Sequence, residues 1–133
     1  MVPVKKVMTK EVLSVHADTP IYRAMAMLTD HAISGLPVLD KEQRLVGILT
    51  EKDVLKILIT SNIGVDEKVE DYMTRNVVSF DEETSATTIC EFFMKNPIRR
   101  VPIVKDGKLT GIVSRRDIIR LILETRNKLH RMT

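Results

Sequence analysis

The sequence predicts an α/β (α+β) fold of two pseudo-symmetric β-α-β-β-α repeats packed through their sheets. Two observations carry this. The chain repeats itself at a nearly constant offset, and each copy passes through the same order of hydrophobic periodicities. Length and composition agree: 133 residues, 44% hydrophobic and 29% charged, make one compact unit with a core of its own.

The repeat is read from aligned residues. Val7-Met8-Thr9 recurs as Tyr72-Met73-Thr74, and at the same offset Val12 meets Val77, Ser14 meets Ser79, Thr19 meets Thr84 and Pro37 meets Pro102. One residue is lost near Glu42. Beyond it Leu45-Val46-Gly47-Ile48 becomes Leu109-Thr110-Gly111-Ile112, and Asp53 becomes Asp117. The expected organisation is a first repeat over 1–60, a linker over 61–68, a second repeat over 69–125 and a basic tail over 126–133.

Each element has a local reason. Val12–Val15 is a short β-rich run. Asp18-Thr19-Pro20 reads as a helix start, with Thr19 as N-cap and Pro20 first in the helix. Ile21, Ala24, Met25 and Leu28 then form one apolar helical face, matched by Ala86, Ile89, Cys90 and Phe93. Leu36–Leu39 and Leu45–Leu49 read as two strands joined by the polar turn Asp40–Arg44. Their counterparts are Val101–Val104 and Leu109–Val113, with Asp106-Gly107 as a tight turn. A closing helix carries Val54, Leu55, Leu58 and Ile59, matched by Ile118, Ile119, Ile122 and Leu123. One such repeat is too small to bury its sheet, so the pair is the expected folding unit, with a cleft where the copies meet.

Composition narrows the function. The formal net charge of +3 suits a small anionic ligand as well as nucleic acid, but aromatics are only 4% with no Trp, which disfavours single-strand readers that stack bases. No apolar run approaches the roughly 20 residues of a membrane span. The first ten residues lack an apolar stretch, and Cys90 is the single cysteine; together they point to the cytoplasm. His16, His31 and His130 show no metal-ligand spacing, so no metal is expected. No nucleophile is paired with a base, so no catalytic residue is assigned and the chain does not read as an enzyme.

Two segments stand out: Gly47-Ile48-Leu49-Thr50-Glu51-Lys52-Asp53 and Gly111-Ile112-Val113-Ser114-Arg115-Arg116-Asp117. A hydroxyl followed three residues later by a carboxylate, at a strand-to-helix junction, is a capping box. The same geometry offers a helix N-terminus to an anion and a carboxylate to the two hydroxyls of a ribose. Both readings stand. Arg99-Arg100, before the strand Val101–Val104, can fork onto phosphate oxygens. Their counterparts are the uncharged Ser34-Gly35, so two sites are expected to be unequal. Lys52, Arg115 and Arg116 flank the motifs and are read as further phosphate charge.

Val-Met-Thr at 7–9, Asp18-Thr19-Pro20, Gly35-Leu36-Pro37-Val38-Leu39-Asp40 and the twin Gly-x-x-Thr/Ser-x-x-Asp segments make the chain resemble a tandem pair of CBS domains. It is similar to the modules of the AMP-activated protein kinase γ subunit and of inosine monophosphate dehydrogenase. The resemblance implies an adenosine ligand (AMP, ADP, ATP or S-adenosylmethionine) between the repeats and no cofactor. It implies one site from Thr50, Asp53, Asn76, Val77, Val78, Arg99 and Arg100. A second draws on Val12, Leu13, Ser34, Ser114 and Asp117. The aspartates would hold ribose, the valines, Leu13 and Asn76 the base, and the arginines phosphate. It further implies a homodimer through the closing helices, and a nucleotide-sensing module that signals through dimer conformation or a regulated partner protein. The alternative is a ligand-free dimerisation scaffold.

Overall fold

The computed structural model describes residues 1–132. They form two compact units: Leu13–Val77, and Met1–Val12 together with the chain from Val78 onward. The first contains β1 (Val15–His16), α1 (Ile21–Asp30), β2 (Gly35–Leu39), β3 (Leu45–Thr50) and α2 (Glu51–Ile59). The second contains β4 (Phe80–Asp81), α3 (Ala86–Lys95), β5 (Arg100–Lys105), β6 (Lys108–Ser114) and α4 (Arg115–Arg131). Each unit has the predicted β-α-β-β-α order. Each sheet has three strands, β1-β2-β3 or β4-β5-β6, with the first pair parallel and the second antiparallel.

The apolar stripes make the cores. Ile21, Ala24 and Leu28 of α1 pack with Leu36, Val38, Leu49 and Ile57 in the first unit. Ala86, Ile89 and Phe93 of α3 pack with Val101, Ile103, Val113 and Ile118 in the second. Proline inside a three-stranded sheet has a register explanation. β1 pairs only with Val38 and Leu39, and β4 only with Ile103 and Val104. Pro37 and Pro102 therefore sit one residue before the parallel ladders begin, where a missing N–H breaks no bond in them. The β5–β6 turn has Asp106 at φ 52° and Gly107 at φ 79°, the left-handed pair that a two-residue hairpin needs.

Each unit is completed by an arm that precedes the other unit's strands in sequence. Val4 and Val69 lie on single 3₁₀ turns, Val4–Lys6 and Val69–Asp71, and both are fully buried in these cores. The backbone N–H groups of Val69 and Glu70 donate to Thr19 and Ala17, and those of Val4 and Lys5 donate to Thr84 and Glu82. The arms also settle the helix starts. Ile21 N–H donates to the Glu67 carbonyl at 2.9 Å, and Ala86 N–H to the Val2 carbonyl at 2.8 Å. Pro20, not Thr19, is the N-cap of α1, because the arm's backbone already takes the orphan donor; Thr19 Oγ1 instead accepts the His16 N–H. In α3 Ser85 caps Thr87 through its side chain. Of the Val12–Val15 run only Val15 enters a strand.

Residues 61–68, the expected linker, are tied down: Gly64 N–H donates to the Tyr22 hydroxyl at 2.8 Å and Asn62 N–H to the Ile57 carbonyl. The expected basic tail continues α4, which carries Arg126, Lys128 and Arg131 on the same helix as Asp117. Its last residue, Thr133, lies outside the described residues. Among the described residues no helix is long and apolar enough to cross a membrane.

The arms dictate the glycine of each repeated motif. After its 3₁₀ turn each arm pairs antiparallel with a strand, Thr74 with Ile48 and Thr9 with Ile112. A Cβ on Gly47 would lie 2.8 Å from Met73 Sδ and 2.9 Å from the Thr74 carbonyl oxygen. One on Gly111 would lie 2.5 Å from Met8 Sδ and 3.0 Å from the Thr9 oxygen. The thioethers can turn away; the backbone oxygens cannot. Gly47→Ala should therefore destabilise the protein by about 1–3 kcal/mol in urea unfolding, the range for overpacking. Gly35→Ala, whose Cβ meets nothing nearer than 3.4 Å, should unfold close to wild type.

Candidate functional site

β3 ends at Thr50 and β6 at Ser114, and each hands over directly to a helix whose N-cap it forms. Three residues on, the chain places an aspartate in the helix's first turn, where exposed N–H groups and the helix dipole favour negative charge. The Thr50 N–H donates to Asp53 Oδ2 at 2.9 Å and the Thr50 hydroxyl to the same oxygen at 3.0 Å, while Asp53 N–H donates to Thr50 Oγ1 at 3.3 Å. The second motif repeats this. Ser114 N–H and hydroxyl donate to Asp117 Oδ2 at 2.9 and 3.1 Å, and Asp117 N–H donates to Ser114 Oγ at 3.2 Å. Both capping boxes are complete.

Asp53 and Asp117 are the buried charged residues of the described chain, 5% and 4% exposed. A buried carboxylate keeps its charge only where donors replace water. Part of that replacement comes from the arms. Thr74 donates its hydroxyl to Asp53, 3.2 Å from Oδ1 and 3.3 Å from Oδ2; Thr9 donates to Asp117 Oδ1 at 3.4 Å. The remaining donors differ. Arg120 Nη1 donates to Asp117 Oδ1 at 2.9 Å, whereas Lys56 Nζ stands 4.0 Å from Asp53 Oδ1. In both motifs Oδ2 carries the two cap bonds; Oδ1 of Asp53 has room for a further donor beside Thr74, whereas Oδ1 of Asp117 already accepts from Thr9 and Arg120.

Of the other predicted residues, Ser34, Arg99 and Arg100 adjoin a cap of their own unit through the backbone. In the first unit the Ser34 carbonyl accepts the Glu51 N–H at 3.0 Å, and Gly35 is in register with Thr50. Asn76 and Val77 follow Thr74, two and three residues beyond its pairing with Ile48, and Leu13 is exposed ahead of β1. In the second unit the Arg99 carbonyl accepts the Arg115 N–H at 3.0 Å and Arg100 is in register with Ser114; both arginine side chains are exposed. Val12 follows Thr9, half-buried, and Val78 leads exposed into β4. The first predicted site thus takes Thr50, Asp53, Asn76 and Val77 from one unit, and Val78, Arg99 and Arg100 from the other. The second takes Val12, Ser114 and Asp117 from one, and Leu13 and Ser34 from the other.

A CBS domain model matches the chain twice, over residues 4–60 and 69–124. The chain belongs to the CBS domain family. Relatives of this CBS pair include an uncharacterized 17.7 kDa protein of Acidianus ambivalens, 38% identical over 91% of this chain and 73% of its own length. Another is the inosine-5′-monophosphate dehydrogenase of Methanocaldococcus jannaschii, 37% identical over 86% of this chain; the chain spans only 22% of that enzyme, and 42% of a further relative, MJ1225 of the same organism. Among solved structures, CBSX2 of Arabidopsis thaliana in complex with AMP superposes with a TM-score of 0.82 at 27% identity, covering 95% of this chain and 99% of that one. The CBS domain pair of protein MJ0100, in complex with 5′-methylthioadenosine and S-adenosyl-L-methionine, gives 0.74 at 32% identity, covering 94% and 98%.

Sequence reasoning missed two contributors to the CBS motifs, the hydroxyls of Thr9 and Thr74. The signal was present, since Met-Thr recurs at the repeat offset, but nothing in the spacing says that Thr9 pairs with Ile112 or Thr74 with Ile48. One reading is corrected. Arg115 is not spare phosphate charge: its guanidinium donates to the carbonyls of Phe93, Asn96 and Ile98 and so clamps the end of α3. Lys52 and Arg116 are exposed. On the first arm and the second, pKa shifts mark tethering contacts: hydrogen bonding to Glu83 raises Lys5, and hydrogen bonding to Glu67 raises Tyr72. Arg115→Ala should cost about 1–2 kcal/mol in urea unfolding, a charged donor lost to three carbonyls, discounted for exposure.

Proposed function

We propose that this CBS pair is a regulatory module that binds an adenosine ligand, AMP, ADP, ATP or S-adenosylmethionine, and passes its occupancy to a partner. The observation that carries the reading is the twin buried aspartate, held at a helix N-terminus by its own cap through Oδ2, with Oδ1 outside the cap as the acceptor for a diol. An anionic acceptor paired with helix N–H groups suits a ribose next to a phosphate. The AMP complex of CBSX2 and the S-adenosyl-L-methionine complex of MJ0100 support the ligand class.

We assign Thr50, Asp53, Asn76, Val77, Val78, Arg99 and Arg100 to one site and Val12, Leu13, Ser34, Ser114 and Asp117 to the other. The first has two exposed guanidiniums for phosphate, so it is the tighter site for nucleotides. Exposed apolar side chains on α2 (Leu55, Leu58, Ile59) and α4 (Ile119, Ile122, Leu123) provide the faces for a homodimer. Ligand shifts such an assembly only through different affinities for its two states. The setting is the cytoplasm, where these nucleotides are abundant.

Calorimetric titration of the ligand-stripped chain tests this. Wild type should bind AMP; Asp53→Ala and Asp117→Ala should each abolish one binding event while the protein remains folded. The Arg99→Ala, Arg100→Ala double variant should weaken AMP at the tighter site by about tenfold or more, the scale of lost hydrogen bonds between charged groups. A folded wild-type chain that binds none of the four ligands would leave both aspartates as helix caps, and the scaffold reading would replace this one.

A further inference from the structure

Lys56 and Arg120 occupy the same helical position in the two repeats, three residues after the motif aspartate. The two cations behave differently. Arg120 reaches Asp117 Oδ1 at 2.9 Å and makes a hydrogen bond, while Lys56 stays 4.0 Å from Asp53 Oδ1 and makes none. In both motifs Oδ2 takes the same two cap donors, and an arm threonine donates to the carboxylate, Thr74 to both oxygens of Asp53 and Thr9 to Oδ1 of Asp117. The cation therefore distinguishes the two carboxylates at Oδ1, the oxygen that the proposed function reserves for ribose.

We infer that Arg120 is an internal competitor for the ribose diol, a residue that sets the affinity of the Asp117 site by occupying the acceptor the ligand needs. This rests on the adenosine reading above. A carboxylate oxygen has two lone pairs, and at Asp117 Oδ1 the Thr9 hydroxyl and the guanidinium already approach both. A diol enters only as Arg120 withdraws. The withdrawal is inexpensive, because the Arg120 side chain is 61% exposed and water takes its place. At Asp53 no such displacement is required. The two sites of one CBS pair then differ in affinity for a reason distinct from Arg99 and Arg100, which act on phosphate.

Conservative exchanges test it in the full chain. Arg120→Lys gives the second repeat the first repeat's cation, and Lys56→Arg does the reverse; neither changes charge or removes a cap. In titrations with AMP, Arg120→Lys should tighten the weaker event about two- to fivefold, the span of an exposed ion pair. If wild type shows one event only, it should reveal a second. Lys56→Arg should weaken the tighter event by a similar factor. With 2′-deoxy-AMP, which offers one hydroxyl less, both effects should shrink; a merely structural role for Arg120 would not distinguish the two nucleotides. The inference is overturned if Arg120→Lys leaves the AMP constants unchanged. It is equally overturned if that variant weakens AMP and 2′-deoxy-AMP alike, which would make Arg120 a phosphate contact. No binding of AMP, ADP, ATP or S-adenosylmethionine by wild type or either variant would overturn the adenosine reading, and the inference with it.

Discussion

A carboxylate buried in the first turn of a helix must be met by donors, and the helix that carries it cannot supply them all. The cap satisfies one oxygen of Asp53 and one of Asp117. The other oxygen depends on a hydroxyl from the arm, and the arm reaches it only because a glycine in the neighbouring strand lets its backbone pass at contact distance. The same arm buries Val4 or Val69, and its carbonyl accepts the N–H that starts α1 or α3. Core, helix start and charged site therefore share one strand-like segment. Filling the space above Gly47 or Gly111 disturbs all three together.

Much of this was legible in the residues. Short apolar runs and helical periodicity located the strands and helices to within a few positions, because the central strands and the apolar helix faces are buried in their own units. Asp106-Gly107 specified its turn through a backbone preference that few other pairs share. Thr50-x-x-Asp53 and Ser114-x-x-Asp117 announced capping boxes because the reciprocal bonds are local, closing within three residues. What was not legible is long-range. Arm pairing joins Thr9 to Ile112 and Thr74 to Ile48, and Arg115 folds back to carbonyls at 93, 96 and 98. Those contacts depend on where the chain travels between the partners, which no local pattern encodes. The start of α1 illustrates the same limit: Thr19 has the right chemistry for a cap, yet a distant carbonyl, that of Glu67, takes the donor that would have needed it.

The two repeats carry the same motif, and they differ chemically at a few positions beside it. Ser34-Gly35 in one copy corresponds to Arg99-Arg100 in the other, Glu51 to Arg115, and Lys56 to Arg120. These changes act on different parts of the motif. Arg115 moves charge away from the site and into the end of α3, where three carbonyls would otherwise face solvent or go unmet. Arg99 and Arg100 add two exposed cations at the start of β5, where the backbone of Arg100 is in register with Ser114. Position 120 changes the cation at the carboxylate itself.

That last difference follows from the two cations' shapes. An ammonium is a strongly hydrated point charge with little reason to leave water for a buried oxygen already served by a threonine hydroxyl. A guanidinium is more weakly hydrated and its fork presents several N–H groups, so it can settle on Asp117 Oδ1 while most of its side chain remains exposed. The exchange keeps the net charge of the helix face and the cap geometry, and changes only how much of the carboxylate is already occupied. Two sites built on one scaffold can thereby acquire different affinities without any change in the fold that holds them.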